Sequence, residues 1–179
     1  MKVRNNILIK VEDSDIINGT FQIPNNITII DDRCFANLVY LNEITIPQNV
    51  TEIQSHAFEK CPSLTRIEFK NKNCKFETGI FSNCYSLEKV ILSENLKSIP
   101  HATFWDCGTL KFIEIPDTVQ VINNGAFYKC FELEKIKVPD SVKKISFGQF
   151  MHCKNLSEIK WKGKIYTYQD LVEYNYFEV

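Results

Sequence analysis

Six phenylalanines recur along this chain at a fixed spacing of 23 residues, and the repeat constrains the fold more than any other feature. They are Phe35, Phe58, Phe81, Phe104, Phe127 and Phe150. A fixed period between about 20 and 50 residues is typical of solenoids and related arrays, because each repeat is one unit that buries its apolar side chains against its neighbours. The spacing therefore predicts a stack of similar coils.

Other apolar positions keep the same period. The sixth residue after each phenylalanine is leucine, and the ninth and eleventh are large and apolar, as in Ile136 and Val138. Residues two apart point to the same side of a strand, so each coil is predicted to contain a short strand with these two side chains buried. Proline follows the strand in four coils, where ladder hydrogen bonding ends: Pro24, Pro47, Pro116 and Pro139.

Stacked coils would pair these strands into one parallel sheet. The eleventh-position residues predict about seven strands, which would span roughly 30 Å at the usual strand spacing. These residues are Ile23, Ile46, Phe69, Leu92, Ile115, Val138 and Trp161. One coil is irregular, because the proline after Phe69 is missing and Asn73 occupies a position that is aliphatic elsewhere. We expect a loosened corner there, either as a tolerated defect or as a place where a partner sits.

The two ends depart from the repeat and are expected to cap it. One domain is predicted, with an N-terminal cap at 1–20, repeats at 21–165 and a C-terminal cap at 166–179. The alternating residues 7–11 predict a cap strand, and residues 167–170 resemble a capping box that would begin a short terminal helix. Tyr176 and Phe177 would either pack on this cap or form an exposed apolar tail that pairs chains.

Five of the seven cysteines belong to the repeat, three residues after a phenylalanine. They are Cys61, Cys84, Cys107, Cys130 and Cys153. Buried cysteine behaves as a small hydrophobe, so free stacked thiols are expected. Disulfides between adjacent coils stay open as an alternative, since the coil spacing is within bridging distance. Cys34 and Cys74 fall outside this series and are expected to be the more exposed thiols.

Charge, composition and motifs argue against several classes of function. The formal net charge is −1, which does not favour a nucleic-acid partner. No apolar run is long enough for a membrane span, and no signal peptide is recognised at the N-terminus, so the sequence as given predicts a cytoplasmic protein. His56, His101 and His152 form no constellation, and no Gly-rich phosphate loop occurs. We expect no catalysis, no metal and no cofactor.

If the ninth and eleventh residues point inward, the eighth and tenth point outward and form the candidate binding face. Its centre carries Ile91 and Phe112 on neighbouring coils. Charged residues surround them: Arg66, Lys89, Glu114, Lys135 and Lys137. An apolar centre with a charged rim is the usual construction of a protein-binding patch. The alternative is that these are ordinary solvent-facing strand residues.

The phrase A-F-x-x-C-x-x-L-x-x-I-x-I-P-x-x-V-x-x-I closely resembles the 23-residue, BspA-type leucine-rich repeat, over residues 21–165. The resemblance implies a curved solenoid with its parallel sheet on the concave face, short turns or 3-10 segments opposite, and no enzymatic activity. It also implies a surface or secreted protein that binds other proteins. Three hypotheses follow: a protein-interaction scaffold using the concave sheet, a cell-surface adhesin or antigen, and a structural protein that weakly self-associates through its end caps.

Overall fold

The computed structural model describes residues 1–174 and 176–178, and it describes side chains for all of these except 146, 147, 174 and 176–178. The described part contains sixteen short strands, two short α helices and a 3-10 turn at Asp13–Asp15. In chain order the strands are β1 (Lys2–Arg4), β2 (Ile7–Lys10), β3 (Ile29–Ile30), β4 (Glu43–Ile46), β5 (Glu52–Ile53), β6 (Arg66–Phe69), β7 (Lys75–Phe76), β8 (Lys89–Ile91), β9 (Ser98–Ile99), β10 (Phe112–Glu114), β11 (Val121–Ile122), β12 (Lys135–Lys137), β13 (Lys144–Ser146), β14 (Glu158–Trp161), β15 (Lys164–Tyr166) and β16 (Tyr176–Glu178). The helices are α1 (Phe147–Phe150) and α2 (Tyr168–Tyr174).

Each of the five coils from Phe35 to Phe127 contributes one front strand and one back strand, and equivalent residues stack on each other. The back strands are β3, which precedes these coils, and β5, β7, β9, β11 and β13. The front strands are β4, β6, β8, β10, β12 and β14, and we call them together the front sheet. Their pairing is parallel with a register shift of one repeat: Ile44 lies opposite Ile67, and Ile113 opposite Ile136. The predicted solenoid and its parallel strands are therefore confirmed.

The front sheet differs from the prediction in two details. Within the described residues it has six parallel strands rather than seven: Ile23 is buried, but its segment joins the sheet only by a single bridge between Thr20 and Glu43. The ladder is also divided into two blocks, β4–β6–β8 and β10–β12–β14, and the second block gains the antiparallel strand β15. At the division, the Thr109 hydroxyl donates to the carbonyls of Tyr85 (2.9 Å) and Leu87 (3.2 Å).

The pairing of the back strands is interrupted between β7 and β9, because a proline stands at the position where other coils donate a backbone hydrogen bond. After β5 and β7, the next backbone N–H donates to the preceding coil, from Gln54 to Ile30 at 2.9 Å and from Glu77 to Ile53 at 3.0 Å. Pro100 occupies this position in the following coil and has no N–H to donate. The sheet β1–β2–β3–β5–β7 accordingly ends at β7, and β9 pairs with β11 instead.

The turns opposite the front sheet contain the phenylalanine stack. Consecutive rings lie parallel, with centroids 4.7–5.7 Å apart. Each repeat cysteine donates from its sulfur to the carbonyl of the phenylalanine one coil earlier, as from Cys61 to Phe35 at 3.1 Å and from Cys153 to Phe127 at 2.9 Å. All seven cysteines are free and buried. The thiol hydrogen bond explains why the position holds cysteine rather than alanine.

The expectation that Cys34 and Cys74 are the exposed thiols is wrong. Cys34 is fully buried and Cys74 is 2% exposed, and burial raises the pKa of each thiol to about 12. Cys34 directly precedes Phe35, and the residues before the other repeat phenylalanines, such as Ala57 and Ile80, are buried too. That position is therefore part of the core in every coil. The same sequence register could have shown this.

The corner after Phe69 is not loosened, so the expectation of a loosened corner there is wrong. The Asn71 side chain is buried and bridges the gap, because its amide donates to Gln48 O at 2.6 Å and its oxygen accepts from Asn73 N at 2.7 Å. The Ser93 hydroxyl donates to Asn71 O at 2.6 Å and accepts from Cys74 N at 3.0 Å. Asn73 is exposed, and Cys74 fills the core in place of the missing aliphatic residue.

Both ends carry secondary structure outside the repeat. At the N-terminus, β2 extends the back strands in parallel with β3 and β1 closes the edge in antiparallel pairing; Leu8 and Val11 are the buried side chains. At the C-terminus, Thr167 N donates to Asp170 Oδ2 at 2.6 Å and Asp170 N donates to Thr167 Oγ1 at 3.2 Å, which is a capping box at the start of α2. Leu171 packs into the core.

The C-terminal tail pairs within the chain. The backbone of β16 lies antiparallel to β13, with Phe177 opposite Ile145. Whether the side chains of Tyr176 and Phe177 pack or stay exposed lies outside the described residues. The backbone pairing itself satisfies the edge of the last back strand.

Candidate protein-binding surface

The front sheet separates inward from outward residues as predicted. In β8, β10 and β12 the middle residue is buried and both flanking residues are exposed. This alternation follows from the pleat of a strand. The eighth and tenth positions of the repeat therefore form one continuous outward face of the front sheet.

The apolar centre of this face lies at the division of the ladder. Phe112 is 70% exposed and Ile91 is 37% exposed, on adjacent front strands. Both line a shallow cavity of about 960 Å³, which also contacts Lys89, Glu114 and Lys137. The structure thus brings together five of the seven residues that the sequence selected.

The other two selected residues lie outside this cavity. Lys135 is directly opposite Phe112 in the ladder and extends the rim toward β14. Arg66 is on β6, where its guanidinium donates to Glu68 Oε2 at 2.8 Å. Glu68 also accepts from Lys70, and these hydrogen bonds, that from Lys70 first, lower the pKa of its carboxyl group. Arg66 is consequently already paired, so it is the least available of the predicted site residues.

The lysines around the centre are held loosely. Lys135 lies 3.9 Å from Glu158, and Lys137 lies 3.9 Å from Asp117, with side chains that are 64% and 76% exposed. Exposed ion pairs contribute about 0–1 kcal/mol, so such contacts leave an ammonium group free to meet a partner's acid.

A second concavity next to this face was missed by the sequence analysis. It has a volume of about 350 Å³ and is lined by Lys137, Trp161 and Ile165, together with three further lysines: Lys160, Lys162 and Lys164. Ile165 is 63% exposed on β15. The feature of the sequence that indicates this concavity is the pair Lys162-Gly163. These two residues have positive φ values of 48° and 72° and form a two-residue hairpin turn. That hairpin adds β15 to the front sheet.

The described histidines and cysteines make separate contacts. No group of three His, Cys, Asp or Glu residues suited to a metal ion occurs among them. His152 contacts the Tyr128 ring edge-on, at 5.1 Å between centroids, while the Cys153 sulfur donates to a backbone carbonyl inside the core. His101 Nδ1 lies 2.6 Å from Asn124 O. His152 and His101 are thus engaged by groups other than the thiols.

A family model described as the BspA type leucine-rich repeat region matches residues 16–130 and 75–176, in six copies. The chain is 29% identical to the leucine-rich repeat protein of T. pallidum, with a TM-score of 0.73 over 80% of this chain and 69% of that one. It is 29% identical to a leucine-rich repeat protein from Bacteroides ovatus, with a TM-score of 0.71 over 78% of this chain and 36% of that one.

The pneumococcal vaccine antigen PcpA is similar in fold alone, at 18% identity and a TM-score of 0.58, over 83% of this chain and 42% of that one. No curated protein sequence matches this chain significantly. Among the described residues, no helix has both the length and the apolar character that a membrane crossing requires.

Proposed function

Because this chain belongs to the BspA-type leucine-rich repeat family, we propose that it is a non-enzymatic scaffold that binds another protein on the outward face of its front sheet. Solenoids of this kind keep their inward residues to hold the stack together. Their outward residues are free to vary, and a binding surface can be built there without changing the fold.

The exposure of Phe112 is the observation that supports this proposal best. Its ring is 70% exposed beside Ile91, in a row whose other outward residues are mostly charged. Covering a side chain of this size stabilises a complex by about 1.5–3 kcal/mol. An aromatic residue at the centre of a polar rim is also the arrangement typical of interface hot spots.

The chemistry of the thiols favours a binding role over a catalytic one. Burial raises the pKa of Cys84, Cys107 and Cys130 well above the ordinary value of a thiol. A nucleophilic cysteine needs the opposite shift and an accessible base. These residues serve the stack instead.

A surface location is the setting that we propose for this scaffold. PcpA, which shares only the fold with this chain, is a pneumococcal vaccine antigen. The adhesin or antigen hypothesis differs from the scaffold hypothesis only in where the partner is met, and both use the outward face.

Self-association through the ends is the less favoured alternative. The edge strand β1 carries Lys2 and Arg4, and the edge strand β15 carries Lys164, beside Lys160 and Lys162. Like charges on two unpaired edges repel, and lysines on edge strands are a known means of preventing edge-to-edge pairing. The backbone of β16 is moreover already paired within the chain.

An affinity capture with matched variants tests the proposal. The double variant Phe112→Glu/Ile91→Glu is compared with Phe131→Glu/Val121→Glu, which also places glutamate at two exposed apolar positions, 44% and 48% exposed, but away from the front sheet. We expect the proteins captured by the wild type to be retained by the control and lost by the front-sheet variant. Equal capture by both variants would refute the proposal.

A further inference from the structure

A groove crosses the last four strands of the front face, and Lys137 lies at its middle. Lys137 lines the larger cavity beside Phe112 and also the smaller cavity beside Ile165. In the ladder Lys137 is opposite Lys160, and Lys160 is opposite Ile165, so these three side chains share one face. The two concavities therefore form one groove with an apolar residue near each end.

The length of this groove fits a short extended peptide. From β10 to β15 there are three strand steps of about 4.8 Å, and Phe112 is offset by two residues along the strand, which gives about 16 Å to Ile165. In an extended peptide, residues i and i+4 point to the same side about 13.5 Å apart. The Phe112 ring and a leucine-sized partner side chain can cover the difference.

The middle of the groove is basic, and the acid on the outward face of β10 is Glu114, directly opposite Lys137. The smaller cavity is lined by four lysines and by one acid, Asp140, which already accepts from Lys162 N at 3.1 Å. Glu158 pairs with Lys160 at 3.1 Å and is shared with Lys135, while the contact of Lys137 with Asp117 is long and exposed. A carboxylate placed between Lys137 and Lys160 would meet two ammonium groups on adjacent strands.

We propose that the partner presents an extended segment of the pattern apolar–x–acidic–x–apolar, bound across β10, β12, β14 and β15. The first apolar side chain covers Phe112, the acid lies between Lys137 and Lys160, and the second apolar side chain covers Ile165. This inference rests on the proposed use of the front face and specifies the chemistry of the partner there.

Three labelled peptides and two charge variants of the full chain test it by fluorescence anisotropy. The probes have the core Leu-Thr-Glu-Thr-Leu, the same core with Lys in place of Glu, and the same core with both Leu replaced by Ser. We expect the first to bind the wild type at least about tenfold more tightly than the others, and more weakly as NaCl rises from about 0.05 to 0.3 M.

The variant Lys137→Glu/Lys160→Glu should reverse the preference and bind the lysine peptide best. The control Lys97→Glu/Lys143→Glu makes the same charge change at exposed positions outside the front strands and should keep the wild-type preference. Equal binding of all three peptides, an unchanged preference in the Lys137/Lys160 variant, or no binding up to about 1 mM would overturn the inference.

The capture experiment above separates the two proposals. If the peptides fail while capture still depends on Phe112 and Ile91, the pattern is wrong and the front face remains the binding surface. If capture is also indifferent to those two residues, both proposals fall.

Discussion

The sulfur of Cys130 donates a hydrogen bond to the carbonyl oxygen of Phe104, 3.1 Å away and one coil earlier. The same contact links Cys84 to Phe58 at 3.0 Å and Cys107 to Phe81 at 3.2 Å. Each repeat cysteine is thus both a small apolar side chain and a second donor to a buried backbone oxygen, since Phe104 O also accepts from Cys107 N at 3.2 Å. This relationship couples the phenylalanine of one coil to the cysteine of the next coil, in each of the five coils that contain the cysteine.

Removing that donor should destabilise the stack without disrupting it. We expect Cys130→Ala to lower the free energy of unfolding by about 1–2 kcal/mol, because it leaves the Phe104 carbonyl without this donor and removes buried volume. Urea denaturation measures the loss. A free energy within about 0.3 kcal/mol of the wild type would show that the contact contributes nothing.

The thiols should be inert in the native state and should make the fold sensitive to alkali. Burial raises the pKa of Cys34 and Cys74 to about 12, so the folded protein favours the protonated thiols more than the unfolded chain does. This contribution to stability is complete below the unfolded pKa of about 9 and decreases as the pH rises toward 12.

A titration with a thiol reagent near neutral pH should find no fast-reacting group among the seven cysteines before unfolding and all seven in urea. Unfolding melts between about pH 8 and pH 11 should show falling stability. One or two fast-reacting thiols in the folded protein would show that Cys34 or Cys74 is accessible to the reagent and would contradict their burial.

A strained alanine offers a stabilising substitution. Ala102 has a φ of 54°, which alanine adopts at a cost, whereas glycine stands at the same repeat position in the next coil, Gly125 with a φ of 68°. We expect Ala102→Gly to raise the free energy of unfolding by about 0.5 kcal/mol, since the relieved strain outweighs the added chain entropy. Thermal denaturation measures the change.

The control for this substitution is Ala126→Gly. Ala126 is fully buried beside Phe127 and is absent from the positions with positive φ. The variant Ala126→Gly should lower the free energy of unfolding by about 1 kcal/mol. If both glycine variants lost the same free energy of unfolding, the backbone of Ala102 would not be strained in the folded protein.

Truncating Phe127 and truncating Phe112 should affect the stability of the fold very differently. Phe127 is fully buried in the ring stack and Phe112 is 70% exposed. Phe127→Ala should cost about 3–5 kcal/mol, and Phe112→Ala should stay within about 0.5 kcal/mol of the wild type. Chemical denaturation of both variants measures this contrast. A large loss for Phe112→Ala would mean that its ring supports the fold rather than a partner.

The core could be predicted from the repeat. The parts of the chain where the repeat is broken could be predicted less well. The register of Phe127, Leu133 and Ile136 was enough to separate inward from outward residues, because stacked coils must place like on like. The corner at Asn71 was misjudged, since its closure depends on side-chain hydrogen bonds with Ser93 that no spacing reveals. The division of the front sheet at Phe112 likewise depends on the backbone geometry between two coils.

The candidate surface was predicted in part for the same reason. Ile91 and Phe112 could be placed outward by counting, whereas Ile165 could not, because it joins the front face through a hairpin outside the period. Counting also could not show that Arg66 is already paired with Glu68. Side-chain pairing and hairpin geometry require coordinates.

The central claim is that the outward face around Phe112 meets another protein. The most direct test places the photoreactive residue benzoylphenylalanine at Phe112, and in a second sample at Phe131, which is 44% exposed away from the front sheet. Each is irradiated in an extract of the source cells. The account predicts a discrete crosslinked adduct at position 112 that is absent at position 131. Crosslinking that is equal at the two positions, or is confined to position 131, would contradict it.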